Sequence, residues 1–336
     1  MRVCDWIANY LYDNGIKNIH GLMGGGSSGL NDGFIKHGKF NYICYHHEQG
    51  AGHAAIGESK FTGKVAVVNP TTGCAGTNCA TSVLNAWQDS VPVVFISGNV
   101  KLDACSGWIN KTKNVSIRKF GVQEHHIVDT YKSITKMSKF ITSEYDVVRT
   151  IQEALYIAAE GRPGPVWIDI PSDIQTKMMP SGSLDYVPPK PPKIIFNPHG
   201  IKYLIDRAQR PIVLAGYGIR QSNTVEQFKQ FVTKYELPFV STYGARDYMA
   251  DNHPYSIGAV GIKGSRAGNF AMQNADLLII LGSSLGTSVT GYDPRQFSRK
   301  SHKVLIDIDS NELDKNIIEI DTKVHILLKE FFEAML

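Results

Sequence analysis

Three short segments carry the residues best suited to bind or activate a ligand. The first is Gly21-Leu22-Met23-Gly24-Gly25-Gly26-Ser27-Ser28, set between the strand-like residues 16–20 and an apolar helical pattern. Glycine lets a ligand approach the backbone and equally permits a tight strand-to-helix turn, so both uses stay open on the residues alone. The second runs from Tyr42-Ile43-Cys44-Tyr45-His46-His47 into Glu48 and then into small residues, Gln49-Gly50-Ala51-Gly52-His53-Ala54-Ala55. Glu48 would stand in the first turn of a helix, where the helix dipole stabilises a carboxylate whether or not it is catalytic. The small residues behind it would let another helix pack very closely. His46 and His47 point to opposite faces if they end a strand, which makes them poor joint metal ligands. The third segment is Asn69-Pro70-Thr71-Thr72-Gly73-Cys74-Ala75-Gly76-Thr77-Asn78, directly after another strand-like run. Its small residues and hydroxyls would let a flat heterocycle reach the backbone, and they would serve equally as a helix cap.

The elements that must position these segments follow from periodicity. Residues 65–68, 93–96 and 166–170 form short β-branched runs of strand length, separated by helical patterns; 212–215, 239–241, 277–281 and 304–308 repeat the alternation. Each half therefore reads as an α/β domain with a doubly wound, mostly parallel sheet. In such sheets ligands sit beyond the carboxyl ends of the strands, where all three segments fall. A length of 336 residues suits two domains at roughly 150 residues each. The boundary falls in the proline-rich linker 188–198, containing Pro188, Pro189, Pro191, Pro192 and Pro198, between domains spanning 1–187 and 199–336.

Composition narrows the function. Hydrophobic residues make up 43% and charged residues 20%, which excludes a disordered chain. The formal net charge is +4, from 35 basic and 31 acidic side chains of interspersed sign, too weak to imply nucleic acid or a membrane surface as partner. The longest aliphatic run, 277–281, is far short of the roughly 20 residues that span a bilayer. Asp5 and Asp13 flank residues 6–12, so a secretory signal pattern is missing and a cytoplasmic location is expected. Cys4, Cys44, Cys74, Cys79 and Cys105 form no Cys-x-x-Cys pair and are expected to be free thiols, with no metal site.

Taken together in order and spacing, the three segments change the reading. Residues 46–78 closely resemble the pyrimidine-binding domain of thiamine diphosphate enzymes, and the chain is similar to the large, catalytic subunits of acetolactate synthases and to related C–C lyases and ligases. The resemblance continues through Asn85-Ala86-Trp87-Gln88-Asp89-Ser90-Val91-Pro92, Ser97-Gly98, Phe120-Gly121-Val122-Gln123-Glu124 and residues 161–171. Residues 258–289 and Ile306-Asp307-Ile308-Asp309 resemble the family's central, Rossmann-like domain.

The resemblance implies a mechanism. In this family a glutamate hydrogen-bonded to N1′ of the cofactor's aminopyrimidine favours the imino tautomer, which removes the thiazolium C2 proton to give a carbanion. Glu48 matches that glutamate. Gly24, Gly25 and Gly26 match residues lining the active centre, Thr71, Gly73 and Asn78 match contacts to the pyrimidine and its neighbouring loop, and Gln123 matches a polar residue facing the substrate. Relatives commonly carry Pro-Gly where this chain has Cys74-Ala75; Cys74 is expected to be a small packing residue and not a nucleophile. The implied activity is decarboxylation of a 2-oxo acid with transfer of the acyl carbanion equivalent to an acceptor. Alternatives are a 2-oxo acid decarboxylase, a lyase of cell-surface sugar synthesis, or a non-catalytic assembly or regulatory subunit.

Two cofactor expectations rest on what the matched motifs lack. Family members hold Mg²⁺ and the diphosphate through a Gly-Asp-Gly motif in a third domain, and no Gly-Asp-Gly occurs here. Asn31-Asp32-Gly33 lies inside the first domain in a different context. The chain is therefore expected to bind only the pyrimidine end, and to be inactive alone, with the diphosphate-binding domain in a longer chain or a separate subunit. Active sites of the family form between subunits, so a homodimer is expected. Acetolactate synthases also hold FAD in the central domain. Gly216-Tyr217-Gly218 resembles part of that glycine loop, but Gly282-Ser283-Ser284-Leu285-Gly286-Thr287-Ser288-Val289 lacks the charged flavin contacts. A nucleotide-free central domain is the expectation, with Asp307 and Asp309 a strand-end pair near Asn311.

Overall fold

The computed structural model describes residues 1–190 and 196–336, so Pro191 and Pro192 of the expected linker lie outside the described residues. The chain divides into two compact units, Met1–Lys190 and Pro191–Leu336. The first contains β1 (Asn18–Gly21), β2 (Asn41–Cys44), β3 (Ala66–Asn69), β4 (Val93–Asn99), β5 (Met137–Phe140) and β6 (Val166–Pro171). The second contains β7 (Pro211–Ala215), β8 (Phe239–Ser241), β9 (Ser256–Ala259), β10 (Leu277–Leu281), β11 (His302–Asp307) and β12 (Thr322–His325). Each unit builds one six-stranded sheet, in the orders β2-β1-β3-β4-β6-β5 and β12-β11-β10-β7-β8-β9. Every pairing within the two sheets is parallel.

A parallel sheet must be covered on both faces, and the central strands show it: β3, β4, β6 and β10 are buried along their whole length. Two apolar clusters flank the first sheet. One includes Val67, Val94, Ile96, Ile168 and Ile170; the other includes Val68, Val93, Phe95 and Trp167. Alternation along β3, β4 and β6 sends successive side chains to the two layers. In the second layer the wholly buried Trp167 stacks on Phe95 at 5.1 Å and on Tyr131 at 4.3 Å between ring centroids. The helix Glu48–Thr62 crosses the helix Ala80–Gln88 at Gly52, where any Cβ would strike the Ser82 side chain. This is the close helix approach its small residues predict.

Both sheets are doubly wound, as expected. In the first, the chain leaves β1 for β2 on one side and then returns to place β3 on the other, so the strand order reverses between β1 and β3. The second reverses likewise between β7 and β10. Such reversals open a crevice at the carboxyl ends of the strands, where successive loops turn away from each other. The register levels these ends in the first unit, because Gly21 pairs with both Cys44 and Asn69.

Candidate functional site

Levelled strand ends bring the three segments to one place. Gly24–Gly26 follows β1, Glu48 follows β2, and Thr71–Asn78 follows β3. Glu48 is the first residue of its helix and is buried, 8% exposed. His47 caps that helix by accepting the Gln49 N–H on Nδ1 at 3.1 Å. The strand end before it is braced by His20, whose Nδ1 lies 2.8 Å from the Tyr45 hydroxyl and whose Nε2 lies 2.5 Å from Glu58 Oε2. No cluster of three His, Cys, Asp or Glu side chains suited to a metal occurs among the described residues.

Asn78 meets Glu48 directly. Its Nδ2 donates to Glu48 Oε2 at 2.9 Å, and no hydrogen bond to Oε1 is formed among the described residues. A buried carboxylate is stable only with partners, so an acceptor with one oxygen held and the other open suits a ligand donor. The glycine triplet divides its labour. A Cβ on Gly24 would collide with Thr71 and one on Gly26 with Thr72, whereas Gly25 faces open space with nothing within 4 Å. The outer glycines thus seat the first loop on the third, which is further tied by Ser27 N–H donating to Thr71 Oγ1 at 3.3 Å.

Gly73 and Gln123 form a second junction. Gly73 has φ +52° and ψ −100°, a conformation closed to side chains, and its Cβ would run into the Gln123 carbonyl oxygen. Gln123 itself has φ +57° and an exposed side chain. Gly24, Gly25, Gly26, Glu48, Thr71, Gly73 and Asn78 therefore follow β1, β2 and β3 at this end of the sheet, and Gln123 meets Gly73 through its backbone. Cys74 is a correction: it is exposed, because it opens the four-residue helix Cys74–Thr77 on its solvent side, and so does not pack. All five cysteines are free.

Sequence reasoning missed the polar layer beneath these loops. Asp169 on β6 is 1% exposed and accepts from Ser97 Oγ at 2.6 Å and Asn99 Nδ2 at 2.7 Å. Desolvation pushes its carboxyl up to about 7, against the pull of the Ser97 and Asn99 hydrogen bonds. Gln175, wholly buried, donates to the carbonyls of Gly26 and Ile170, both at 2.7 Å. The available signal was a polar residue at alternate positions inside apolar strands, Ser97 and Asn99 on β4 and Asp169 on β6.

The crevice of the second unit differs. Gly216 N–H donates to Leu281 O and Gly218 N–H to Gly282 O, both at 2.9 Å, and a Cβ on Gly216 would strike Gly282 O. Here the glycines lock two loops together. Nearby cations are engaged: Arg220 pairs with Asp247 at 2.6 Å, and Lys315 binds Glu312 at 2.8 Å and the Ser284 carbonyl. Asp307 and Asp309 form the expected strand-end pair. Asp309 N–H donates to Asp307 Oδ1 at 2.9 Å, and Asp309 caps the next helix through Asn311 N–H at 3.0 Å.

Two parallel α/β units, the first with a buried helix-start glutamate between glycine loops, define the class. The family model for the thiamine pyrophosphate enzyme N-terminal TPP binding domain matches residues 1–117, and that for the thiamine pyrophosphate enzyme central domain matches residues 200–335. The chain belongs to the thiamine pyrophosphate enzymes. Its relatives include the acetolactate synthase large subunit of Lactococcus lactis, 33% identical over 331 residues, covering 97% of this chain and 55% of that protein. The acetolactate synthase isozyme 2 large subunit of Escherichia coli is 31% identical over 319 residues, 94% of this chain and 55% of its own length. A probable acetolactate synthase large subunit of Methanocaldococcus jannaschii is 31% identical over 325 residues, with shares of 94% and 53%. The chain spans about half the length of these curated relatives. No helix among the described residues is long and apolar enough to cross a membrane.

Proposed function

We propose that this chain supplies the pyrimidine side of an acetolactate synthase-like active centre, through a domain of residues 1–187, with residues 199–336 as its central domain. The observation that carries this reading is Glu48, buried at the start of its helix with Asn78 on Oε2 and no donor to Oε1 among the described residues. That oxygen suits N1′ of an aminopyrimidine. Asn78 holds one carboxylate oxygen, Gly25 leaves room for the ring, and Thr71 and Gly73 would contact the pyrimidine and its neighbouring loop. When bound, thiamine diphosphate supplies a nucleophilic carbon and an electron sink for decarboxylating a 2-oxo acid. The part played by Glu48 is to hold a proton between its own oxygen and the ring nitrogen, in a place where water competes poorly. Gln123, exposed beside Gly73, would meet the substrate.

The diphosphate calls for a different set of groups. It carries several negative charges that a divalent cation must bridge, and the described residues offer no cluster of three acidic, His or Cys side chains to hold that ion. Mg²⁺ and the diphosphate would be held by a Gly-Asp-Gly-bearing domain, elsewhere in the same protein or on another subunit, in a homodimeric cytoplasmic enzyme. The central domain would act without flavin, since its glycine loops bond to each other and Arg220 and Lys315 are engaged by Asp247 and Glu312.

The test combines the chain with candidate Gly-Asp-Gly partners, Mg²⁺ and thiamine diphosphate, and follows 2-oxo acid consumption. Turnover that Glu48→Gln removes, while the complex still assembles, supports the reading. Turnover unaffected by Glu48→Gln, or silence with every partner, overturns it.

A further inference from the structure

The loops of the candidate site rest on a buried polar layer centred on Asp169. From Oδ2 the layer passes to Asn99, whose Nδ2 also donates to the His125 carbonyl at 3.2 Å, two residues from Gln123. The Asn99 Oδ1 accepts Val100 N–H at 2.9 Å, so each polar atom of that amide is committed. Gly98 and Asn99 also form the floor under Gly26: a Cβ on Gly98 would strike the Gly26 carbonyl, and one on Gly26 would lie 3.3 Å from Asn99 N. From Oδ1 the layer passes to Ser97, which accepts Trp167 Nε1–H at 2.9 Å. Trp167 stacks on Tyr131, and the Tyr131 hydroxyl donates to the Gly76 carbonyl at 2.5 Å, two residues before Asn78. One carboxylate thus underlies the glycine triplet, the Gln123 segment and the Asn78 loop.

We propose that Asp169 is a positioning residue for this site, holding the three loops at one spacing when ionised and loosening the Gln123 segment when protonated, with Ser97 as its reversible partner. The proposal rests on the functional reading given above for those loops. Charge-assisted hydrogen bonds are roughly twice as strong as neutral ones, so the ionised carboxylate holds Asn99 most firmly. Ser97 makes the protonated state tolerable. Its Oγ lies 3.4 Å from the Ile168 carbonyl as well as 2.6 Å from Asp169 Oδ1. A proton taken from solvent onto Oδ1 would be donated to Ser97 Oγ, and the serine's own proton would turn to Ile168 O. The Trp167 indole would continue to donate to the same oxygen. Without such an exchange a buried carboxylate changing its protonation state would leave a polar group unmatched at considerable cost. The other titratable groups facing this layer are Glu124, which accepts from Ser106 Oγ and Phe120 N–H, both at 2.9 Å, and the buried Cys105 thiol.

The test uses the full 336-residue chain without cofactor or partner, so its failure is separable from failure of the catalytic reading. The first measurement is the indole N–H resonance of Trp167, assigned through Trp167→Phe, between pH 5 and 8.5. A single inflection in the wild type that vanishes in Asp169→Asn supports the proposal; a flat wild-type profile overturns it. The second is amide exchange at Val100, bonded to Asn99 Oδ1, and Ile127, whose N–H shares the His125 carbonyl with Asn99 at 2.9 Å. Asp169→Asn is expected to speed both by roughly tenfold at pH 8. Unchanged exchange there overturns the proposal, and if this variant does not fold, the wild-type titration decides.

Discussion

Asn78 and Glu48, thirty positions apart in the chain, share a hydrogen bond of 2.9 Å at the carboxyl end of the first sheet. The bond holds one carboxylate oxygen and leaves the other without a hydrogen bond among the described residues. Asn78→Ala should leave Glu48 buried without its donor, and a hydrogen bond to a charged group contributes about 1.5–3 kcal/mol. Thiamine diphosphate affinity of the assembled enzyme should fall by about ten- to a hundredfold, a loss of about 1.4 kcal/mol per decade. Asn78→Asp should be worse, because two carboxylates would face each other. Cofactor titration followed by calorimetry reads both, and unchanged affinity in Asn78→Ala would remove Asn78 from the site.

The glycines should separate into two kinds. Gly73→Ala places a side chain at φ +52° and drives it into the Gln123 carbonyl, so a loss of about 2 kcal/mol or more is expected from strain and displacement. Gly25→Ala meets nothing within 4 Å, and its stability should stay within about 0.5 kcal/mol of the wild type. Yet Gly25→Ala fills the space assigned to the ring, so it should impair cofactor binding while Gly73→Ala unfolds first. Urea midpoints of the isolated chain, set against cofactor titration of the complex, distinguish them.

How much of this was legible beforehand depends on burial. The central strands announced themselves because a parallel strand covered on both faces is a continuous apolar run, as in 277–281, which is β10 residue for residue. The edge strands β5, β9 and β12 did not, since they are only partly buried and Lys139 and Lys323 interrupt their apolar character. Glu48, the glycine triplet and Asn78 were found as types in sequence, but their meeting depends on the reversal between β1 and β3. Gly73 was singled out without its reason, the approach of a segment fifty residues later. Asp169 gave little sign, because one acidic residue in a strand of apolar ones points nowhere until Ser97 and Asn99 are set beside it.

The contact between Gly52 and Ser82 offers a test of helix packing independent of any cofactor. Gly52→Ala would press its new methyl group into the Ser82 side chain, and overpacking of this kind costs about 1–3 kcal/mol. Ser82→Gly removes the obstructing atoms at about 1 kcal/mol of helix propensity. The double variant should therefore be more stable than the sum of its parts, with a coupling of about 1–2 kcal/mol in a double-mutant cycle by urea unfolding. Simple additivity would show that the two helices can separate without loss.

Asp169 also predicts how stability depends on pH. Its folded-state carboxyl is raised to about 7, chiefly by desolvation, while an unfolded aspartate titrates near 3.9. Between those values the folded chain keeps a proton that the unfolded chain has released. Stability from this group is thus fully present below about pH 4 and is lost as pH rises through 7, with a limiting slope of about 1.4 kcal/mol per pH unit. Asp169→Asn cannot ionise, so the difference in unfolding free energy between wild type and variant isolates the contribution from every other titrating group. Measured from pH 5 to 8.5, that difference should shift steadily against the wild type up to about pH 7 and then level off. A difference that is constant over the whole range would mean that Asp169 stays ionised throughout, held by Ser97 and Asn99 more strongly than burial opposes it.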